Sequence, residues 1–294
     1  RWRVTAELLL ALASYQTESD RGALAAVRSG TMQDFAELAE QRFDAGDISQ
    51  IEFDLAVLAF TDARIKQATA SANVAEAKQA VSSLAVGSAP TEWPAIQTEL
   101  PPLTIAPSEA NDLVMSLPHV RAAHLRASAA GARVDLRERE RRPDPTLTLR
   151  GGTEGDETLV GLNLTIPLHV RNSFSYEVTA ASAERRQAQQ EAADISRQAY
   201  ARFQGAQERY QLSQTAWGDW QRTGGVSLQR QTDLLWRLWE AGELSTTEFL
   251  VQLQQTLDTR ESALELRAAL WRAWFEWLTA SGQIESWLGT STAY

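Results

Sequence analysis

Apolar residues recur at helical spacing along the first third of the chain. The pattern runs to about residue 44, breaks, and resumes from Phe53 to Leu84, where apolar positions alternate steps of three and four. Only Gln67 interrupts this second run, a heptad pattern that predicts a long helix with coiled-coil packing. At 1.5 Å per residue, an arm of about 40 residues reaches about 60 Å. A soluble helical bundle would show the same pattern.

A short sequence at the break between these two runs occurs twice. Residues 45–53 read AGDISQIEF, and residues 241–249, 196 positions later, read AGELSTTEF. Self-similarity at a fixed offset indicates an internal duplication. Because each copy lies between two long helical patterns, each is predicted to form the tip of a helical hairpin.

Both predicted tips carry residues that end one helix and begin the next. Gly46 and Gly242 can adopt the left-handed conformation that terminates a helix. Ser49 and Ser245 can then cap the following helix through their hydroxyl groups. The acids three residues later complete a predicted capping box in each tip: Glu52 and Glu248.

The hydrophobic period changes from helical to alternating after residue 145. Residues 146–150 alternate polar and apolar, residues 151–157 form a glycine-rich predicted turn, and residues 159–168 alternate again. This pattern predicts a β-hairpin with one apolar face, which includes Val160, Leu162, Leu164, Ile166 and Leu168.

The predicted hairpin has two interpretations. Such a hairpin most often packs one face on a soluble core, but the chain shows no further strand pattern, and an isolated two-stranded hairpin is marginal in water. Its partners would then come from other chains or from a missing part of this one. A strand of about 9–11 residues with one continuous apolar face also crosses a bilayer in a closed barrel.

The remaining segments are predicted to connect these elements. Residues 88–107 contain five prolines and are predicted to be an irregular connector. A helix interrupted at Pro118 follows and ends in the mixed-sign run Arg137–Arg142, which is typical of a solvated helix end. The helical pattern returns at Ser175 and continues to the second tip. Tryptophans three residues apart are predicted to pack between helices rather than to form a membrane-interface belt: Trp217, Trp220, Trp236 and Trp239.

Composition excludes several functional classes. The net charge of −10 argues against a nucleic-acid partner, and the absence of cysteine excludes disulfides and thiolate metal sites. His119, His124 and His169 are too few and too badly spaced for a catalytic or metal cluster. No stretch offers the roughly 20 apolar residues of a membrane helix. We therefore expect no enzymatic activity, no cofactor and no stable metal site.

The tips, the hairpin and the internal repeat together resemble the TolC-like outer-membrane efflux proteins. The hairpin is introduced by RRPDPTLTLR and closed by VGLNLTIPLHVRN. Its PDPTL beginning and IPL end look most like the CzcC-like heavy-metal branch of that family. The similarity covers nearly the whole chain, although the chain looks like a family member without its N-terminal portion, including the first β-hairpin.

The resemblance implies a mainly α fold with a small β part. Long antiparallel coiled-coil hairpins would build a periplasmic α-barrel, and the β-hairpin would contribute to a trimeric outer-membrane β-barrel. The implied segments are two helical hairpins, a Pro-rich equatorial connector, a helix leading to the barrel and a transmembrane β-hairpin. The two helical hairpins would occupy residues 1–87 and 173–289, and the connector residues 88–107. The helix that leads to the barrel would occupy residues 108–142, and the β-hairpin residues 143–172.

The resemblance also implies a passive exit duct of a tripartite efflux system. Its implied partners are two further copies of the chain in a homotrimer, a periplasmic adaptor (membrane fusion protein), an inner-membrane RND-type pump and membrane lipid. It would export heavy-metal cations or other small toxic compounds. The competing class is a soluble coiled-coil scaffold or a periplasmic adaptor, which would have no use for a strand with an apolar face.

Three sets of site residues follow from the resemblance. The implied adaptor-docking tips are Gly46, Asp47, Ile48, Ser49, Gly242, Glu243, Leu244 and Ser245. The implied pore constriction is Glu52 and Glu248, although capping alone explains these acids equally well. The implied lipid-facing residues are Val160, Leu162, Leu164 and Ile166. Leu244 stands where the family's best-known member has a basic residue, so the particular gating ion pair of that member is not expected here.

Overall fold

The structure is a computed structural model that describes residues 2–85, 100–103, 107–142, 144–166 and 175–289. Within these residues the chain is mainly helical with one small antiparallel sheet, which confirms the predicted fold class. The helices are α1 (Trp2–Asp44), α2 (Gln50–Leu84), α3 (Pro107–Ser116), α4 (Pro118–Glu140), α5 (Ser175–Glu240), α6 (Thr246–Ser281) and α7 (Ile284–Trp287). The strands are β1 (Thr146–Glu154) and β2 (Glu157–Thr165).

The chain divides into two compact units. The first comprises residues 1–105 and 203–294, and the second comprises residues 106–202. The first unit therefore contains α1, α2, α6, α7 and the part of α5 that begins at Phe203. The second unit contains α3, α4, the β-hairpin and the part of α5 that ends at Arg202.

In the first unit, α1 and α2 form an antiparallel hairpin. Near its tip, the Phe43 and Phe53 rings stack with centroids 5.4 Å apart, and farther along, Gly22 lies against the Val74 side chain. The predicted heptad positions from 53 to 84 are all buried or half-buried, and even Gln67 is half-buried. The heptad pattern therefore correctly identified the face of α2 that packs on its neighbours.

The second half of α5 and α6 form the other antiparallel hairpin of this unit. The Tyr210 and Trp274 rings lie 5.0 Å apart at one end, and the Trp239 and Phe249 rings lie 5.0 Å apart at the tip end. Helix α6 also packs on α1. It ends at Ser281, where Gly282 takes the left-handed conformation with φ 74° and the short helix α7 follows.

The predicted connector lies largely outside the described residues. Leu100–Leu103, within it, has no regular secondary structure, and the Pro101 carbonyl accepts a 2.7 Å hydrogen bond from the Tyr210 hydroxyl. Helix α3 begins at Pro107, one residue earlier than predicted, because proline at the first position of a helix loses no hydrogen bond.

In the second unit, α4 precedes the β-hairpin in the sequence and α5 follows it, and the first part of α5 runs antiparallel to α4. Helix α4 begins at Pro118, as predicted, and its apolar face buries Val120, Ala123, Ala130 and Val134. His124 Nε2 lies 3.0 Å from the Ser196 hydroxyl, and Gly131 approaches the Arg185 side chain. The β-hairpin joins these two helices.

The β-hairpin confirms that both predicted strands exist and corrects the predicted turn. The second strand was expected to reach residue 168, but β2 ends at Thr165 and the last described residue of this segment, Ile166, lies outside it. We expected the turn to take up residues 151–157, but β1 continues to Glu154 and β2 begins at Glu157. Only Gly155 and Asp156 lie between them, and Gly155 has φ 66°. A two-residue turn with positive φ matches the twist of the paired strands, so the neighbouring glycines can remain extended and paired.

Candidate functional site

The two helical tips have the same local structure, as the internal repeat predicts. Gly46 and Gly242 have φ angles of 81° and 74°, in the left-handed region. The amide of Asp47 reaches back to the Arg42 carbonyl at 2.8 Å, and the amide of Glu243 reaches the Leu238 carbonyl at 2.9 Å. These bonds satisfy carbonyl groups that a helix end would otherwise leave unpaired.

Both predicted capping boxes are present. The Glu52 amide donates to the Ser49 hydroxyl at 3.3 Å, and the Glu52 carboxylate accepts the Ser49 amide at 2.9 Å. In the second tip the corresponding distances, between Ser245 and Glu248, are 3.2 Å and 3.1 Å. Because these bonds join residues three apart, local sequence was sufficient to predict them.

Hydrogen bonding lowers the pKa of both capping glutamates. For Glu52 the backbone amide of Ser49 contributes most, followed by the Ser49 hydroxyl. For Glu248 the Ser245 hydroxyl contributes most, followed by the Ser245 amide. Both acids are therefore held in the charged form that completes the cap.

Replacing Ser49 with alanine should lower the free energy of unfolding by about 1 kcal/mol, because the Glu52 amide loses the hydroxyl that accepts its hydrogen bond and the Glu52 carboxylate loses the hydroxyl donor. Folding lowers the pKa of Glu52 from its ordinary value of 4.5. The contribution of the ionised Glu52 to the free energy of unfolding is therefore fully present above pH 4.5 and is lost as the pH falls through the lowered pKa. Chemical denaturation of the parent chain and of Glu52→Gln across acidic pH would measure this pH-dependent loss of stability. Ser71→Ala, at an exposed position inside α2, is the control. Equal losses for the two serine variants would contradict the capping role.

The tip residues that were predicted to dock an adaptor are mostly on the surface. Gly46, Asp47 and Ser49 in the first tip are exposed, as are the corresponding Gly242, Glu243 and Ser245 in the second. Neither Asp47 nor Glu243 forms an ion pair or a side-chain hydrogen bond with another described residue. The aliphatic members differ, since Ile48 and Leu244 are half-buried and pack against the core beneath the tips. The tips therefore present glycine, serine and acid groups to solvent over an apolar base.

An aromatic cluster joins the two tips from below. The Phe35 ring on α1 lies 4.5 Å from Trp239 and 5.0 Å from Phe249. The Trp236 ring meets Phe249 at 5.0 Å, edge to face. Aromatic pairs add about 0.5–1.5 kcal/mol each beyond the area that they bury. The predicted interhelical packing of Trp236 and Trp239 is confirmed, and both hairpins contribute to one cluster.

Arg42 makes a second link between the tips, which sequence reasoning missed. It lies near the end of α1, and its Nη1 donates a 3.2 Å hydrogen bond to the Trp239 carbonyl near the end of α5. Its guanidinium carbon lies 5.4 Å from the centroid of the Trp239 ring. A cation at the C-terminal end of a helix is also favourable to the helix dipole. Arg42 therefore holds the two helix ends in register.

Farther from the tips, charged residues connect α1 with α6. Arg28 is nearly buried and lies 3.1 Å from the Asp258 carboxylate, and Arg21 lies 3.0 Å from Glu265. Arg267 pairs with Asp20. Both arginines in the middle of α6 have a polar partner. Arg267 pairs with Asp20 as described, and Arg260 Nη2 donates a hydrogen bond to Gln229 Oε1 at 3.0 Å.

The β-hairpin is the second candidate site, and its two faces differ in polarity. Its register pairs Leu147 with Leu164, Leu149 with Leu162 and Gly151 with Val160. Directly opposed residues point to the same face, so these four leucines and Val160 form one apolar surface, whereas Leu159, opposite Gly152, lies on the other face. The other face pairs the residues Thr146 with Thr165, Thr148 with Asn163, and Arg150 with Gly161.

The apolar face of the hairpin is exposed throughout. Val160 is 73% exposed and Leu162 is 71% exposed, and the other large members are Leu147, Leu149, Leu164 and Ile166. Ile166 lies one residue beyond β2, and Leu168 falls outside the described residues. Among those residues the sheet has no third strand. Each strand therefore has one edge without a partner in the described chain.

Other chemistry has little support among the described residues. His119 is exposed, His124 contacts Ser196, and His169 lies outside the described residues. In the part of the chain that the structure describes, no three histidines, aspartates or glutamates are grouped to hold a metal ion. None of the described helices is both long enough and apolar enough to cross a membrane.

Comparison with known proteins relates this architecture to a group of solved structures. No protein-family model matches the chain, and no curated protein matches it. CusC, whose crystal structures concern transmembrane channel formation, superimposes with a TM-score of 0.80 at 16% identity, over 95% of this chain and 68% of CusC. The outer-membrane channel OprN gives a TM-score of 0.79 at 18% identity, over 96% of this chain and 66% of OprN. The chain has the fold of these channels.

A third solved structure agrees with the first two. The outer-membrane protein VceC of Vibrio cholerae matches with a TM-score of 0.77 at 16% identity, over 96% of this chain and 70% of VceC. Nearly all of this chain thus corresponds to part of a channel fold. It spans about two thirds of the length of the solved structures, which have 66–70% of their residues covered.

Proposed function

We propose that this chain is part of an outer-membrane channel of a tripartite efflux system. It would lie in the bacterial outer membrane with its helical hairpins in the periplasm. The exposed apolar face of the β-hairpin, in a chain with the fold of outer-membrane channels, is the observation that supports this most strongly. The resemblance to the TolC-like family agrees with it.

The dimensions of the hairpin suit a bilayer. Each strand has nine residues, which at about 3.3 Å per residue makes about 30 Å along the strand. A tilt of about 40° reduces this to about 23 Å, close to the apolar band of about 25 Å on outer-membrane barrels. Hydrocarbon would cover the leucine and valine face, and the threonine, asparagine and arginine face would line an aqueous lumen.

The unpaired edges of the hairpin favour an assembly of several copies. In hydrocarbon each unsatisfied backbone group costs several kcal/mol, so a two-stranded sheet with two open edges cannot remain in a bilayer. Pairing with the strands of neighbouring copies would remove those edges. We infer a homotrimer, in which residues 143–172 contribute to the transmembrane part.

The helical tips are the proposed contact with the rest of the efflux system. Residues 1–87 and 173–289 would line a periplasmic duct, with residues 88–107 at its equator and 108–142 leading to the membrane. The exposed glycine, serine and acid groups of the tips would receive a periplasmic adaptor, the membrane fusion protein of an RND-type inner-membrane pump. The cap acids, Glu52 and Glu248, would add negative charge at the pore constriction.

Transport through such a duct would be passive, without a catalytic residue or cofactor in this chain. The CzcC-like pattern around the hairpin favours heavy-metal cations as the substrate, with other small toxic compounds as the broader class. A soluble coiled-coil scaffold or periplasmic adaptor would share the hairpins and tips. The exposed apolar strand face favours the channel over that alternative, because in water such a face would promote aggregation.

Membrane extraction distinguishes the two classes. The native gene product that contains this chain is expected to resist alkaline carbonate extraction and to appear as a trimer by mass in mild detergent. The trimer is expected because closing the strand edges requires neighbouring copies. A monodisperse monomer that needs no detergent would contradict the channel and favour the scaffold.

A further inference from the structure

The charge of the chain is unevenly distributed between its two units. Residues 106–202 contain 13 arginines and 13 acidic residues, so the net charge of −10 lies entirely in the other unit. Within the neutral unit, the run Arg137–Arg142 holds four arginines and two glutamates. By sequence alone this run resembles an ordinary solvated helix end, and the structure gives it a more specific setting.

Three of the four arginines in this run have no acidic partner among the described residues. Arg137 pairs with Glu140 at 2.6 Å and is thereby neutralised. Arg139, Arg141 and Arg142 are exposed, and none of them forms an ion pair with another described residue. Arg139 lies in the last turn of α4, where its positive charge interacts favourably with the negative end of the helix dipole. Arg141 and Arg142 lie beyond the helix, so the dipole does not account for all three charges.

These three arginines lie directly before the hairpin. Only residues 143–145 separate Arg142 from the start of β1 at Thr146. At about 3.3 Å per residue, Arg142 is at most about 13 Å from the first strand residue. If the nine-residue strands cross the hydrocarbon, this end of the hairpin lies at the headgroup layer, which extends about 5–8 Å beyond the hydrocarbon on each side.

The other end of the hairpin has the opposite charge. The turn reads Glu154-Gly155-Asp156-Glu157 and carries three acids and no basic residue. A basic segment therefore precedes the hairpin and an acidic turn closes it, and the apolar face lies between these two charged ends. Such a polarity would favour one orientation of the strands at a surface of anionic phosphate groups.

We propose that Arg139, Arg141 and Arg142 bind the phosphate groups of anionic phospholipids, which carry no compensating cation, in the leaflet at the base of the hairpin. This proposal rests on the proposed membrane position of the hairpin and adds a lipid class to it. Guanidinium groups match phosphate oxygens with two parallel hydrogen bonds, and they keep their charge at every physiological pH. The arginines would fix the depth of the strands and the direction in which they enter the bilayer.

Vesicle partitioning of the full chain tests this proposal. Phosphatidylcholine vesicles are compared with vesicles that also contain anionic phosphatidylglycerol, by co-flotation at low salt. Each arginine near an anionic surface is worth about fivefold in partitioning, so the three together are worth about 100-fold. The variant Arg139→Gln, Arg141→Gln, Arg142→Gln should lose about this factor with phosphatidylglycerol and should partition into pure phosphatidylcholine as the parent does.

Two further variants exclude general effects. Arg121→Gln, Arg126→Gln, Arg133→Gln removes the same charge from exposed positions earlier on α4 and should keep the preference for phosphatidylglycerol. Arg139→Lys, Arg141→Lys, Arg142→Lys keeps the charge and should retain most of the preference.

Each contrary outcome overturns the proposal in a recognisable way. Equal partitioning of the parent chain into both vesicles would overturn the contact with anionic phospholipids and leave the membrane hairpin standing. No partitioning into either vesicle would overturn both. Equal losses in the two glutamine variants would assign the preference to total charge instead of to the arginines at the hairpin base.

Discussion

Arginine at Leu162 is expected to prevent membrane assembly, whereas arginine at the adjacent Asn163 is expected to be tolerated. Leu162 is 71% exposed on the apolar face and pairs with Leu149, near the middle of its strand. A charged side chain there would enter hydrocarbon near the bilayer midplane, at a cost of about 2–4 kcal/mol. Asn163 lies on the opposite face beside Thr148, where arginine would remain in water.

This pair of variants is closely matched, because the two positions differ by one residue in depth and introduce the same charge. The measurement is the fraction of protein that resists carbonate extraction and the fraction that forms trimers. A cost of about 2–4 kcal/mol corresponds to an assembly constant lower by about 30- to 1000-fold. Equal effects of Leu162→Arg and Asn163→Arg would mean that the two faces do not separate lipid from water.

Reversing the charge of both tips is expected to abolish export while leaving the trimer intact. Asp47 and Glu243 are exposed and have no ion-pair partner among the described residues, so Asp47→Lys, Glu243→Lys should change the fold little. Charges at the rim of an interface steer and align a partner more than they stabilise the fold. Two lysines would then repel the basic groups of an adaptor that is complementary to the acidic tips.

Matched acids higher on the same helices provide the control. Glu37 and Asp233 are exposed, are related by the same 196-residue offset, and lie ten residues before the tip acids, about 15 Å along the helix. Glu37→Lys, Asp233→Lys should export normally. Export in cells and trimer abundance in membranes are measured together. Normal export by the tip variant would contradict docking at these acids, and loss of trimer would leave the tips with a structural role alone.

Features that depend on neighbouring residues were predictable from the sequence. The capping boxes join Ser49 to Glu52 and Ser245 to Glu248, three residues apart, and the side chains and backbone amides of these residues are sufficient to form them. The heptad positions of α2 and the alternation of β2 follow from helix and strand geometry, which determines which side chains share a face. The turn of the β-hairpin was less predictable, because glycine is compatible with both a loop and a paired strand.

The sequence by itself therefore determined the helices, both tips and the polarity of the hairpin faces. The tertiary structure decided which distant residues meet: Arg42 with Trp239, Arg28 with Asp258, and Phe35 with both Trp239 and Phe249. It also left Arg139, Arg141 and Arg142, beside the hairpin, without acidic partners among the described residues. Periodicity specifies the face on which a side chain lies, but its partner depends on how separate helices pack, and that packing is set by contacts between residues some 200 positions apart.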